Sequence, residues 1–204
     1  MGRPRAHGAE TADALLGVAE RIVAADGIAG LSIRRLAHEA GTTTRAVYSL
    51  FGSKEGMVVA LAAHGFDLLA EDVAALPVTD PLDDLVEAGA VVFRRFATEH
   101  PALFELVFRR EGVPDHVAAQ FDHARRAALD QLTARLERLA AAGGLACPVD
   151  RAASYFHALC EGLASMESRS SGACDGEEAW RTALRALLLG LNIEGSSLRG
   201  QAAR

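Results

Sequence analysis

Thr44, Arg45, Tyr48 and Ser49 fall on one side of a short helical stretch, and Ala46, Val47 and Phe51 fall on the other. Hydroxyls, a phenol and a guanidinium on one outward face suit recognition of a nucleic acid better than bond making. Charge points the same way. Between residues 27 and 54 lie Arg34, Arg35, Arg45 and Lys54, against Glu39 alone. The whole chain carries a net charge of −6, so the average hides a basic stretch in an otherwise acidic sequence. Lys54 is the only lysine.

The elements that must hold this face can be read on either side of it. Ser32 is placed to cap a helix, with Leu31 and Leu36 at the spacing of a hydrophobic staple. Ile33, Leu36, Ala37 and Ala40 then follow the i, i+3, i+4, i+7 pattern of one buried helical face. Gly41 supplies a left-handed stop. Thr42, Thr43 and Thr44 offer caps for the next helix. Two short helices joined by a glycine turn make a helix-turn-helix. A bracing helix is expected over 9–26, ended by Gly27, and another over 53–75, opened by Ser53. Lys54 in that first turn opposes the helix dipole, which suggests that an anion sits nearby. Residues 1–8 are broken by Gly2, Pro4 and Gly8, and read as a tail. Arg3 and Arg5 within it could lie in a minor groove, ordering only on DNA.

Composition narrows the rest. Half of the residues are hydrophobic and 5% are aromatic; Ala and Leu dominate, favouring helices over strands. Further helices are expected over 82–99, 101–108, 115–142, 150–168 and 177–193, giving an all-α chain. On the last helix, Trp180, Leu184, Leu187 and Leu191 form one stripe, and Ala179, Ala183, Ala186 and Gly190 a second beside it. The preceding helix mixes Phe156, Leu159, Leu163 and Met166 with Ala153, Ala158, Gly162 and Ser165. Helices apolar on two sides need cover on both, and a homodimer joined through the last two helices provides it. Cys147, Cys160 and Cys174 fit neither a disulfide framework nor a zinc pattern, and read as reduced thiols. His116 and His123, beside Asp115 and Asp122, lack the tight clustering of a metal site. No nucleophile elbow, Gly-rich phosphate loop or distinctive pair of carboxylates appears, so no catalytic residue and no cofactor are expected. The polar opening residues and the lack of a long apolar run predict neither leader nor membrane span, hence a cytoplasmic protein.

From Ala9 to Leu61 the chain resembles the DNA-binding domain of TetR-type transcriptional regulators. The resemblance is carried by Ser32-Ile33-Arg34, Leu36-Ala37, Ala40-Gly41, Tyr48 with Phe51, and Ser53-Lys54-Glu55; the Gly2-Arg3-Pro4-Arg5 arm is similar too. Residues 96–108, FATEHPALFELVF, look like a motif of the WHG-type C-terminal domains, although Glu161-Gly162 stands where that subgroup has His-Gly. The resemblance implies an N-terminal three-helix DNA-binding domain over 1–54 and a C-terminal bundle over 55–204 for effector binding and dimerisation. It implies that Thr44 and Arg45 reach base edges. Ser32, Thr43, Tyr48 and Lys54 would contact phosphates, with Arg34 and Thr42 in the same interface. Leu50 stands where relatives often carry an aromatic residue or His. An apolar small-molecule effector would be lined by Phe93, Phe96, Phe104, Phe108 and Phe121, with His100 and His157 as polar contacts. The function implied is a repressor released from a palindromic operator by that effector. A helical ligand-binding or enzymatic bundle without DNA binding is the rival, and the basic stretch argues against it.

Overall fold

The computed structural model describes residues 4–109, 113–169 and 176–197. Every regular element among them is helical. The first helix, α1 (Pro4–Gly30), begins earlier than the expected residue 9. Pro4 is helical although the sequence suggests a breaker, because proline in the first turn of a helix forfeits no intrahelical hydrogen bond. Arg5 therefore belongs to a helical turn, not to a tail, whereas Arg3 lies outside the described residues. Gly27 interrupts α1 with φ 67 and ψ −179, the left-handed region that glycine enters at least cost.

Two short helices follow, each held by its cap. Ser32 Oγ accepts from Arg35 N at the start of α2 (Ile33–Glu39). Thr43 Oγ1 accepts from Ala46 N at the start of α3 (Thr44–Phe51). The turn between them closes through Thr42 N donating to Ala37 O at 2.9 Å. Gly52, at φ 72, ends α3. α4 (Lys54–Ala75) opens with Gly56 N donating to Ser53 Oγ at 2.9 Å. A side chain at Gly56 would place its Cβ 2.1 Å from Phe51 O, so only glycine lets α4 start this close to the end of α3.

The expected single helix over 82–99 is present but interrupted. Asp80 caps α5 (Pro81–Glu87) by accepting from Leu82 N and Asp83 N. A π-helical turn, Ala88–Phe93, then leads into α6 (Arg94–Glu99). The wider turn buries five of its six residues at once, which a regular helical stripe does not do. His100 separates α6 from α7 (Pro101–Phe104), which runs into a second π-helical turn, Glu105–Arg109. The continuous helix expected over 115–142 is instead α8 (Asp115–Ala118), a 3₁₀ turn (Ala119–Phe121) and α9 (Asp122–Ala141). α10 (Val149–Arg169) and α11 (Glu177–Ser197) complete the chain. Among the described residues no helix is long and apolar enough to cross a membrane.

The chain forms two compact units. The first contains residues 1–68 and 100–125, and the second contains 69–99 and 126–204. In the first unit Leu15, Ala19 and Ile22 of α1 are buried, as are Leu36 of α2, Val47 of α3, and Met57 and Leu61 of α4. Phe66 meets Phe108 edge-on, with ring centroids 5.9 Å apart. Glu20 Oε1 lies 2.8 Å from His100 Nδ1, tying α1 to the start of α7. In the second unit Leu85, Phe93, Phe96, Leu136, Phe156, Trp180 and Leu184 form the core. Gly89 fits tightly there, because a Cβ would come within 2.5 Å of Leu184 Cδ1.

Candidate nucleic-acid interface

Helix α3 puts Thr44, Arg45, Tyr48 and Ser49 at the surface and buries Val47. Tyr48 is 54% exposed, so its ring is not part of the core. The physical reason is the length of the helix. With eight residues it needs only one firm anchor, since its caps and Gly52 fix both ends. Ser32 and Thr43 spend their hydroxyl lone pairs on caps, yet both residues stay exposed, so each oxygen can still take part in a phosphate contact. Thr42 is half-buried in the turn.

The basic residues of this stretch are not equivalent. Arg35 is committed within the protein: its Nε donates to Glu39 Oε1 at 2.7 Å and its Nη1 to Asp26 Oδ2 at 2.6 Å. Those bonds, Glu39 first and Asp26 second, raise its affinity for the proton. Arg34, Arg45 and Lys54 are exposed and make no salt bridge among the described residues. Three cations without internal partners, spread over the two short helices and the first turn of α4, leave a field that favours a polyanion. Arg5 lies in the opening turn of α1 by its backbone, and Arg3 falls outside the described residues.

The seven residues assigned to an effector are divided between the two units. His100, Phe104, Phe108 and Phe121 belong to the first unit, where Phe104 and Phe108 pack with centroids 5.3 Å apart. Phe93, Phe96 and His157 belong to the second. There Phe93 meets His157 edge-on at 6.1 Å and tilts against Trp180 at 6.3 Å, and His157 Nδ1 lies 3.0 Å from Glu161 Oε1. A cleft of about 810 Å³ does open in the first unit, between α1, the start of α4, α7 with its π-helical turn, and α8. None of the seven lines it.

Sequence reasoning also missed a set of half-buried ion pairs in the second unit. Glu167 accepts from Arg94 Nη2 at 2.6 Å, from Arg94 Nε at 3.0 and 3.1 Å, and from Trp180 Nε1 at 3.0 Å. Burial works against ionisation of Glu167, but these bonds and one from Gly176 N outweigh it and hold the carboxyl below its ordinary range. Asp84 shows the same balance. Burial opposes its charge, while Thr79 Oγ1 and N, at 2.7 and 2.8 Å, and Arg138 more than compensate. Bonds from Arg181 depress Glu87 likewise, against the cost of its partial burial. No local periodicity could have revealed pairs 73, 54 and 94 residues apart. Burial raises the Cys160 thiol above its ordinary value, with Glu161 adding to the effect, so this sulfur is a packing group. Cys147 is free and half-buried, and Cys174 lies outside the described residues. Among the described residues no three His, Cys, Asp or Glu side chains group as metal ligands.

Comparison with known proteins adds to this geometry. A family model described as bacterial regulatory proteins, tetR family, matches residues 15–61. A second, described as tetracyclin repressor-like, C-terminal domain, matches residues 86–187, half of the chain. No curated protein matches the sequence. Among solved structures, a protein of unknown function from Rhodococcus sp. RHA1 is similar with a TM-score of 0.75 and 27% identity, over 89% of this chain and 95% of that one. The TetR family transcriptional regulator PfmR from Thermus thermophilus gives 0.66 and 21%, over 85% and 96%. AibR, solved in complex with isovaleryl coenzyme A and operator DNA, gives 0.63 and 16%, over 88% and 98%.

Proposed function

The chain belongs to the TetR family of bacterial regulatory proteins and is a DNA-binding transcriptional regulator, and from that premise we propose that it is a repressor released from a palindromic operator by a small apolar effector. By role, residues 1–54 bind DNA and 55–204 hold the effector and the dimer contact, although residues 100–125 pack with residues 1–68. The protein acts in the cytoplasm by binding, without catalysis. Thr44 and Arg45 read base edges, while Ser32, Arg34, Thr42, Thr43, Tyr48 and Lys54 position the helix on phosphates, with Arg3 and Arg5 in the minor groove. The observation that carries this reading is α3 itself, a capped helix with one buried anchor and a basic, hydroxyl-bearing outward face.

The dimer rests on α10 and α11. Tyr155, Ala158, Gly162 and Met166 of α10, and Ala186, Leu189 and Gly190 of α11, are exposed. Small residues between larger apolar ones suit close helix packing, and a four-helix contact with a second copy covers them. Paired reading helices then meet half-sites about one helical turn apart. An effector that prefers another arrangement weakens DNA binding by linkage, with α4, shared by both units, as the connecting element. AibR was solved with a small ligand and operator DNA together, and that supports a two-ligand reading here.

Selection from random DNA followed by anisotropy titration tests the assignment. The wild type is expected to select a palindrome, with log affinity falling by about 0.9 per phosphate neutralised for each unit of log salt. Arg45→Ala should cost about 1–3 kcal/mol on the preferred site and flatten the preference at one base pair. Lys54→Ala should weaken all sequences alike and lower the salt slope by about 1. Absence of sequence selection would defeat the reading. A monomer in sedimentation at micromolar concentration would defeat its dimer part.

A further inference from the structure

Asp84 of the second unit is buried, yet it faces two guanidiniums. Its side chain is fully shielded from solvent, and that of Arg135 is 9% exposed. Thr79 N and Oγ1 both donate to Asp84 Oδ1, and Arg138 Nη1 donates to Oδ2. Arg135 Nη1 lies 3.4 Å from the same Oδ2 but makes no hydrogen bond, there or elsewhere among the described residues. Its other terminal nitrogen, Nη2, donates to Val73 O in the last turn of α4. The carboxylates close by in sequence are engaged: Asp80 caps α5, Asp83 pairs with Arg185, Glu87 with Arg181 and Asp72 with Arg95. One buried carboxylate therefore serves two cations, and all five groups of this cluster belong to the second unit.

A buried N–H without an acceptor is costly, and more so on a charged group. The cost would vanish if Arg135 Nη1 closed on Oδ2 by about half an ångström, to ordinary hydrogen-bond length. Arg138 stands in the way, because it holds that oxygen. The Arg138 side chain is 36% exposed, so it can leave Asp84 for water. Arg135 then supplies the bond that the carboxylate loses. The buried Arg135 has no such exit, and it carries Val73 with it through Nη2. We propose that Asp84, Arg135 and Arg138 form a two-position clamp on the last turn of α4, in which the two guanidiniums compete for one carboxylate oxygen and Arg135 positions the helix. Sub-ångström shifts of this kind are amplified where packing admits two discrete arrangements.

α4 opens directly after the reading helix and ends in the clamp. That the clamp alters DNA binding rests on the regulator reading above; the clamp itself does not. Amide exchange followed by NMR on the full chain without DNA tests the clamp. Arg138→Met removes the competitor, so exchange at Ala74, Ala75 and Leu76 should slow by about threefold or more. It should do so even though the variant also loses the bond from Arg138 Nη2 to Thr79 O. A merely structural Arg138 would give faster exchange there. Arg135→Met should speed the same amides by about tenfold or more, and combining it with Arg138→Met should abolish the slowing. If Arg135→Met does not fold, Arg135→Lys takes its place, since lysine lacks the forked pair of nitrogens. Faster or unchanged exchange in Arg138→Met, or slowing that survives the loss of Arg135, overturns the proposal. On DNA selected by the wild type, Arg138→Met should change affinity by about threefold or more with an unaltered salt slope, because no phosphate contact changes. Unchanged affinity would defeat only the link to DNA binding, and failure of the wild type to select DNA only the regulator reading.

Discussion

The helix-turn-helix and the second unit's bundle hold their shapes by different means. In α2 and α3, structure is local. Hydroxyls three residues away cap both helices, glycines turn the chain, and one buried valine anchors the reading face. In the bundle, carboxylates and guanidiniums from distant parts of the sequence meet under apolar cover, as in Arg94 with Glu167 and Arg138 with Asp84. The first arrangement pairs Arg35 inside the protein but keeps Arg34 and Arg45 free for a partner. The second consumes its charges internally. A recognition surface and a scaffold thus use the same residue types to opposite ends.

Experiments that break this contrast rank by size. The largest effect is expected from Arg94→Ala, which leaves the half-buried Glu167 without its bidentate partner. A loss of about 2–3 kcal/mol follows, with a melting temperature lower by roughly 8 °C. Trp180, the only tryptophan, donates to the same carboxylate and reports the change by fluorescence. A shift under about 2 °C would show that the network is incidental.

Acid is the next lever. Glu167, Asp84 and Glu87 are all held below their ordinary values. Below about pH 4 the unfolded chain takes up protons that the folded chain resists, so stability is full above the unfolded values and falls as pH drops through the folded ones. Hydroxyl caps do not titrate there. Heteronuclear NMR should therefore lose the Trp180 indole signal at a higher pH than the Ala46 amide signal. The reverse order would invert the contrast. The smallest effect is Thr43→Ala, at about 1 kcal/mol, read as roughly fivefold faster amide exchange at Ala46. A larger loss than for Arg94→Ala would mean that the caps matter more than the buried pairs.

What was legible in the sequence follows the same line. The caps at Ser32, Thr43 and Ser53, the stop at Gly41 and the outward set on α3 depend on neighbours within four residues, and local pattern exposes them. Pro4 looks like a breaker in the sequence because local pattern does not show how near a helix start it falls, and the described residues are helical from Pro4 onward. The π-helical turns at Ala88–Phe93 and Glu105–Arg109 escaped for another reason: their widening answers to tertiary packing, as Gly89 against Leu184 illustrates. The 3₁₀ turn at Ala119–Phe121 divides a helix that reads as continuous, and Phe121 on it is buried. The cleft escaped as well, because its largely aliphatic walls come from α1, α4, α7 and α8, which are far apart in sequence.

Gly52 and the Thr43 cap bracket α3 on both sides, and Val47 alone among its residues is buried. The segment between them is therefore an exchangeable cassette. Its outward positions can change without repacking the core, provided that the cap, the two glycines at 52 and 56 and the valine stay. On the proposed reading, new operator preferences can then arise by drift or by engineering at five exposed positions, 44, 45, 48, 49 and 50, at little cost to folding. The half-buried ion pairs of the second unit have less freedom, since a change at one member strands the other. Target choice in this chain can evolve quickly on a scaffold that must evolve slowly.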